Sequence, residues 1–243
     1  RVEFIGCVGE DAFGDELVAI LDAEGISRAG VRAVPGPSGT AHITVDQNGQ
    51  NSIIVVPGAN SSASADDLTP ERGRRLAWFV TQLELPQDAV AVALGRARSL
   101  GLRTVLTPAP ARTLPEALLR TVDLLVPNQI EAAVLTGETD PELAAMALSR
   151  SCGDVVVTLG GDGALWARDG QVVARVPARS VPVVDTTAAG DTFVGVLVAR
   201  LAEGAAFPEA LESASVAAGL AVGRVGATAS MPFRVEIDQA LNG

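Results

Sequence analysis

The chain has 243 residues, of which 48% are hydrophobic, 19% charged and 3% aromatic, a balance that suits an aliphatic α/β core and excludes a disordered chain. Asp plus Glu (29) against Lys plus Arg (18) gives a net charge of -11, a field that repels nucleic-acid backbones and anionic membrane surfaces. Every basic residue is an arginine, which rules out a P-loop lysine, a Schiff-base lysine and the strand lysine of a protein kinase. With one histidine, His42, and two distant cysteines, Cys7 and Cys152, a structural zinc cluster cannot be assembled. Both thiols are expected to be small buried groups in a reducing, cytoplasmic compartment. No run approaches the roughly 18 to 20 apolar residues of a membrane span.

Arg1 leads directly into the strand-like run at residues 2–7, so a segment upstream of it is expected. Residues 15–24 then carry a helical pattern. The next segment, 42–56, reads as two strands around an Asn48-Gly49 turn, a β-hairpin expected to sit at the periphery as a flap or lid spanning 40–58. His42 falls in its first strand and reads as a half-exposed hairpin residue. Asp66 and Asp67, followed by Pro70 and Glu71, look like a helix start with a solvated acidic face. Further on, the aliphatic runs 104–106, 122–126 and 155–159 alternate with helix-patterned stretches such as 87–100, the mark of a parallel sheet covered by helices. One α/β domain is expected over 1–243. Ligands of such sheets bind beyond the carboxyl ends of the strands, which singles out the loops 107–110, 127–129 and 160–163.

The most informative stretch is 183–193. Small residues Ala188, Ala189 and Gly190 precede a strongly apolar helix, so their N–H groups can converge at its start as an anion site. Asp191 in that first turn has two readings: a carboxylate that favours the helix dipole, or the base that takes the proton of an attacking hydroxyl.

Asp185-Thr-Thr-Ala-Ala-Gly-Asp191 resembles the DTxxAGD signature of the PfkB/ribokinase family of sugar kinases. Other segments resemble the family in the same order: Gly6 to Gly14 (GCVGEDAFG), PGAN ending at Asn60, QLELP starting at Gln82, TPAPA starting at Thr107, PNQIE starting at Pro127, TLGGDG starting at Thr158 and a final AVGRVGATAS from Ala221 to Ser230. The resemblance implies a three-layer α/β/α sandwich with a mainly parallel sheet and a small β lid. It also implies transfer of the γ-phosphate of ATP to the primary hydroxyl of a pentose, D-ribose first, with Mg2+ and an activating K+. Asp191 would be the general base, with Ala188, Ala189 and Gly190 forming the anion hole. Asn128 and Glu131 would organise magnesium and phosphates; Thr158, Gly160, Gly161 and Gly163 would line the nucleotide. Ser215 stands where relatives often carry His or Asn beside adenine, and Glu84 resembles a sugar contact. Asp185, Thr187, Ala221, Arg224, Gly226 and Ser230 match the potassium loop. A homodimer formed through the lid is implied as well. Beside these roles, Asn128 also reads as a turn residue, Glu131 as a helix N-terminal charge and the glycines as a plain strand-to-turn cluster.

The family's Asn-x-Asp sugar clamp, half of its lid and its Gly-Gly-Lys-Gly-Ala-Asn loop have no counterpart here, so an N-terminally incomplete chain is expected. Two kinds of function follow: an ATP-dependent sugar kinase, for ribose or for another sugar or nucleoside, or a non-catalytic nucleotide-binding relative. Retention of Asp191 favours the first; the missing clamp favours the second.

Overall fold

A computed structural model describes residues 1–45 and 51–242, and the expected Asn48-Gly49 turn lies outside the described residues. The chain divides into two compact units, Arg1–Leu76 with Gln82–Leu102, and Ala77–Thr81 with Arg103–Gly243.

In the first unit β1 (Glu3–Gly9), α1 (Ala12–Ala23) and β2 (Ser27–Val34) form a β-α-β turn whose strands pair in parallel. The helix starts at Ala12 because Asp11 caps it: Asp11 Oδ1 accepts the Gly14 N–H at 2.8 Å and the Ser38 hydroxyl at 2.6 Å. The hairpin appears as expected, with β3 (Thr40–Val45) antiparallel to β4 (Asn51–Val56) in register from Thr40↔Val56 to Val45↔Asn51. Its neighbours in sequence, Ile54 and Val55, point to opposite faces and are 66% and 62% exposed, so each face of this two-stranded ribbon shows an exposed apolar side chain. His42 is exposed, not half-exposed. The acidic segment gives a 3-10 turn over Ala65–Asp67 and then the short helix α2 (Pro70–Gly73), and α3 (Gln87–Ser99) closes the unit by burying Val90, Leu94 and Ala97.

The second unit holds β5 (Trp78–Thr81), β6 (Arg103–Leu106), α4 (Glu116–Leu119), β7 (Leu124–Leu125), α5 (Gln129–Thr136), α6 (Pro141–Leu148), β8 (Asp154–Thr158), β9 (Ala164–Arg168), β10 (Gln171–Val176), α7 (Ala189–Ala202), α8 (Phe207–Val222) and α9 (Arg234–Asn242). The strands make one six-stranded sheet in the order β10-β9-β8-β7-β6-β5, parallel from β5 to β8 and antiparallel across β9 and β10. Val155, Val156 and Val157 are all fully buried, as befits a strand covered on both faces. On one face Val105, Leu124, Val156 and Trp166 pack with Phe193, Leu197, Leu211 and Ala214 of α7 and α8. The opposite face takes α6 through buried Ala144, Ala145 and Leu148. Helix, sheet and helix therefore form three layers.

Asp154, 4% exposed at the start of β8, is the polar anchor of this core: it accepts the Trp166 indole N–H at 2.6 Å and both arms of the Arg168 guanidinium at 2.7 Å. Trp166 stacks on Phe207 with ring centroids 4.1 Å apart, and Arg103 lies 4.2 Å over the Trp78 ring. Cys7 and Cys152 are free thiols, as expected; burial pushes the Cys152 thiol up to about 12. Among the described residues no helix is long and apolar enough to cross a membrane.

Candidate active site

The loops that leave the carboxyl ends of β6, β7 and β8 emerge at one edge of the sheet, the edge at which open α/β sheets take their ligands. There the structure brings Asn128 and Thr158 side by side in a parallel bridge, with the Thr158 N–H donating to the Pro127 carbonyl at 3.0 Å. Asn128 is the N-cap of α5, and it closes a capping box with Glu131: Asn128 Oδ1 accepts the Glu131 N–H at 2.9 Å, and Glu131 Oε2 accepts the Asn128 N–H at 2.8 Å. The helix-start reading of this pair is therefore realised. Burial pushes the Glu131 carboxyl above its ordinary value, with the Asn128 N–H pulling the other way. Among the described residues no group of three or more His, Cys, Asp or Glu side chains comes together as a metal cluster. A single carboxylate with one oxygen left over suits Mg2+ held mainly by phosphates and water.

Between β8 and β9 the loop turns on Gly160 (φ 59°) and Gly163 (φ 93°), closed by a Leu159 N–H bond to the Gly163 carbonyl at 2.7 Å. A Cβ on Gly163 would run into the Val176 carbonyl and the Pro177 backbone, so this position requires glycine. At Gly160 and Gly161 a Cβ would meet nothing within 4 Å, which leaves an open backbone surface that a flat ligand can approach.

Across the same unit, α7 begins on Ala188, which sits in the left-handed region at φ 58°, ψ 10° and offers no side-chain cap. A non-glycine residue there is strained by about 1 kcal/mol or more, a cost typical of functional loops. The first intrahelical bond runs from the Thr192 N–H to the Ala188 carbonyl at 2.9 Å, and the Ala189 N–H turns back to the Thr186 carbonyl at 3.3 Å. By helix geometry the N–H groups of Gly190 and Asp191 remain as orphan donors. Both lie at the positive end of a 14-residue helix dipole, in the same turn as the exposed Asp191 carboxylate.

Behind this turn, Asp185 Oδ1 accepts the Thr187 N–H at 2.9 Å and the Thr187 hydroxyl at 2.6 Å, while Oδ2 accepts the Gly226 N–H at 2.9 Å. The Thr187 hydroxyl, then the N–H groups of Gly226 and Thr187, hold this carboxyl down to about 2. Of the other residues expected in the potassium loop, the Ala221 carbonyl accepts the Arg224 N–H at 3.0 Å, and Ser230, fully buried, donates its hydroxyl to the Ala227 carbonyl at 2.7 Å. The Arg224 guanidinium pairs with Glu236, a residue that sequence reading missed because nothing in its local pattern sets it apart from the other α9 charges. Ser215 is 7% exposed and its hydroxyl donates to the Pro177 carbonyl at 2.8 Å, which ties α8 to the segment after β10. Glu84 belongs to the first unit, where it is exposed and its N–H donates to the Gln82 side chain at 2.7 Å.

One unit thus carries a helix start with two free N–H donors and, at the carboxyl ends of its parallel strands, an open glycine turn, two features that proteins binding phosphate groups use. More narrowly, the chain belongs to the pfkB family of carbohydrate kinases, whose profile matches residues 1–234. It is 33% identical over 257 aligned positions to the ribokinase of Schizosaccharomyces pombe, a match covering 100% of this chain and 80% of that one. It is 35% identical to the ribokinase of Haemophilus influenzae over 97% of this chain and 80% of the relative. Among solved structures, ribokinase from Thermotoga maritima is similar with a TM-score of 0.91 at 32% identity, covering 99% of this chain and 81% of that one. Arabidopsis thaliana ribokinase complexed with ribose and ATP is similar with a TM-score of 0.90 at 31% identity, covering 99% and 82%.

Proposed function

We propose that this chain is an ATP-dependent sugar kinase that phosphorylates the primary hydroxyl of a pentose, D-ribose first. The observation that carries the reading is the start of α7: a carboxylate, Asp191, at the rim of two orphan N–H donors, in a chain about one-third identical to ribokinases along its length. A binding-only protein has no use for a base at that place.

In the proposed reaction Asp191 takes the proton of the sugar hydroxyl, the hydroxyl oxygen attacks the γ-phosphorus of ATP, and ADP leaves. The N–H groups of Gly190 and Asp191 face the oxygens of the transferring phosphoryl group, where charge builds up. Thr158, Gly160, Gly161 and Gly163 give the nucleotide a backbone floor, and Ser215 shapes it from beneath rather than by a free hydroxyl. A sugar-contacting role for Glu84 rests on the family resemblance of its QLE segment alone. Glu131, through its remaining oxygen, and Asn128 would hold Mg2+ with the phosphates; the ion supplies charge neutralisation. The loop of Asp185, Thr187, Ala221, Arg224, Gly226 and Ser230 offers oxygen donors suited to a hard monovalent cation, K+.

For the ribbon of β3 and β4 the proposed role is that of a lid, as the family resemblance implies. Because Ile54 and Val55 leave both faces of the ribbon apolar and exposed, and an isolated two-stranded ribbon is marginal in water, we place a second copy against it in a homodimer. Two unpaired thiols suit a reducing cytoplasm.

ADP release from Mg-ATP in potassium buffer, with and without D-ribose, tests the reading. Ribose-dependent ADP supports it; release that depends on another sugar or a nucleoside changes the substrate and keeps the kinase; tight ATP binding with no acceptor-dependent release favours the binding-only alternative.

A further inference from the structure

We infer that Glu236, on the last helix, is a positioning residue for the anion hole, acting through Arg224 and the 223–233 loop rather than by touching a substrate; this rests on the kinase reading above. The argument starts from a conformation that cannot hold itself. Ala188 is left-handed, has no glycine freedom and receives no side-chain cap, so its geometry must be imposed by what surrounds it. The group that imposes it is Asp185, whose carboxylate fixes Thr187 from one oxygen and is itself fixed at the other by the Gly226 N–H.

Gly226 lies in an irregular loop with φ 97°, so the anchor is only as firm as that loop. The loop is pinned at both ends by one side chain. Glu236 pairs through Oε1 with Arg224, and its Oε2 accepts the Phe233 N–H at 2.8 Å. Arg224 and Glu236 are 37% and 32% exposed in their side chains, so solvent does not fully screen the pair. The base of the strap is firm, because Ile237, the next residue of α9, is 4% exposed. The path therefore runs from Glu236 by hydrogen bond to Arg224, along two residues of backbone to Gly226, by hydrogen bond to Asp185 and on to Thr187, and by the chain itself into the strained turn at Ala188. The N–H groups of Val184 and Asp185, both bonded to the Val222 carbonyl at 2.8 and 3.2 Å, keep the two segments in register. Loss of Glu236 frees the loop without touching any residue at the anion hole.

The test uses the full chain as Glu236→Ala, Glu236→Gln and Asp238→Ala; the last breaks an exposed pair with Arg234 on the same helix. Two quantities are read: steady-state kcat and KM, and amide hydrogen exchange of the unliganded protein at Thr187, Thr192 and Gly226 against β8. For Glu236→Ala, kcat falls about tenfold with both KM values within about twofold, since misplaced groups slow the chemical step without weakening ground-state binding. Exchange at Thr187, Thr192 and Gly226 rises about tenfold while β8 is unchanged, the sign of a local opening. Glu236→Gln, which keeps an acceptor for the Phe233 N–H, recovers part of both losses, and Asp238→Ala matches the parent. Unchanged exchange at those three amides in Glu236→Ala, or an equal effect from Asp238→Ala, overturns the inference. If the parent chain turns over no sugar, the kinase reading fails by itself, and the exchange result still decides whether the strap holds the turn.

Discussion

Asp185 and Gly226, 41 positions apart in the chain, are joined by a 2.9 Å hydrogen bond from the glycine N–H to the carboxylate that also organises Thr187. The bond couples the loop after α8 to the turn that opens α7. It makes Asp185 a structural partner of the start of α7 whether or not a cation sits beside it.

The same bond has a pH signature. Asp185 is held at about 2, below its ordinary value of 3.8, so it contributes stability that is fully present above pH 3.8 and lost as pH falls toward about 2. Asp185→Asn removes this contribution at neutral pH. The gap in urea midpoint between the parent and Asp185→Asn is expected to narrow between about pH 4 and pH 2; a gap that is constant across that range would show that the carboxylate is not held by these donors.

Asp191→Asn preserves the shape of the first turn of α7 and removes its base. Turnover is expected to fall by about 10³-fold, within the range of general base catalysis, with ATP affinity changed less than about threefold. Acceptor-dependent ADP release and calorimetric titration of ATP measure the two arms. Near-normal turnover would remove Asp191 from the reaction.

Asn128 caps α5, and one substitution tests whether it also has the phosphate role proposed for it. Serine also caps helices well, so Asn128→Ser is expected to stay within about 0.5 kcal/mol of the parent in stability, whereas Asn128→Ala loses about 1 kcal/mol. If Asn128→Ser nonetheless raises the magnesium concentration needed for half-maximal rate, the amide serves the phosphate site; an unchanged requirement limits it to capping α5.

Much of this was legible in the residues themselves. The alternation of aliphatic runs and helical stretches located the parallel strands, and DTTAAGD located the start of α7. The two strands of the first hairpin were readable in the run 42–56, while the Asn48-Gly49 turn expected between them lies outside the described residues. The second hairpin, β9 to β10, was passed over although its signal was present: Asp169 and Gly170 form a two-residue turn with φ values of 52° and 74°. β7 is shorter than the apolar run 122–126 because the N–H groups of Thr121 and Val122 turn back to the carbonyls of Leu118 and Leu119 at 2.9 and 3.0 Å. What no local pattern announces is the left-handed Ala188, since alanine has no preference for that region, and the Glu236 strap, which depends on tertiary placement across 12 positions.

Three buried side-chain atoms among the described residues, Arg72 Nε, Arg200 Nε and Thr192 Oγ1, lack a hydrogen-bond partner, and the threonine can be replaced without changing shape. Thr192 is 4% exposed, and its Oγ1 makes no hydrogen bond. Replacing it by the isosteric valine removes that unsatisfied hydroxyl, so Thr192→Val is expected to raise stability by about 1 kcal/mol in denaturant unfolding. A loss of stability would reveal a hydrogen bond at this hydroxyl.

The two tryptophans, with no tyrosine in the chain, make the protein its own optical probe of one unit. Trp166 is stacked on Phe207 in the core and Trp78 lies under Arg103, and both belong to the unit that bears α7. Tryptophan emission therefore watches the six-stranded sheet come apart, while the β-α-β turn and the β3–β4 ribbon carry no tryptophan. Circular dichroism sees both units, so the difference between the two melting curves measures directly whether the units unfold together or in turn.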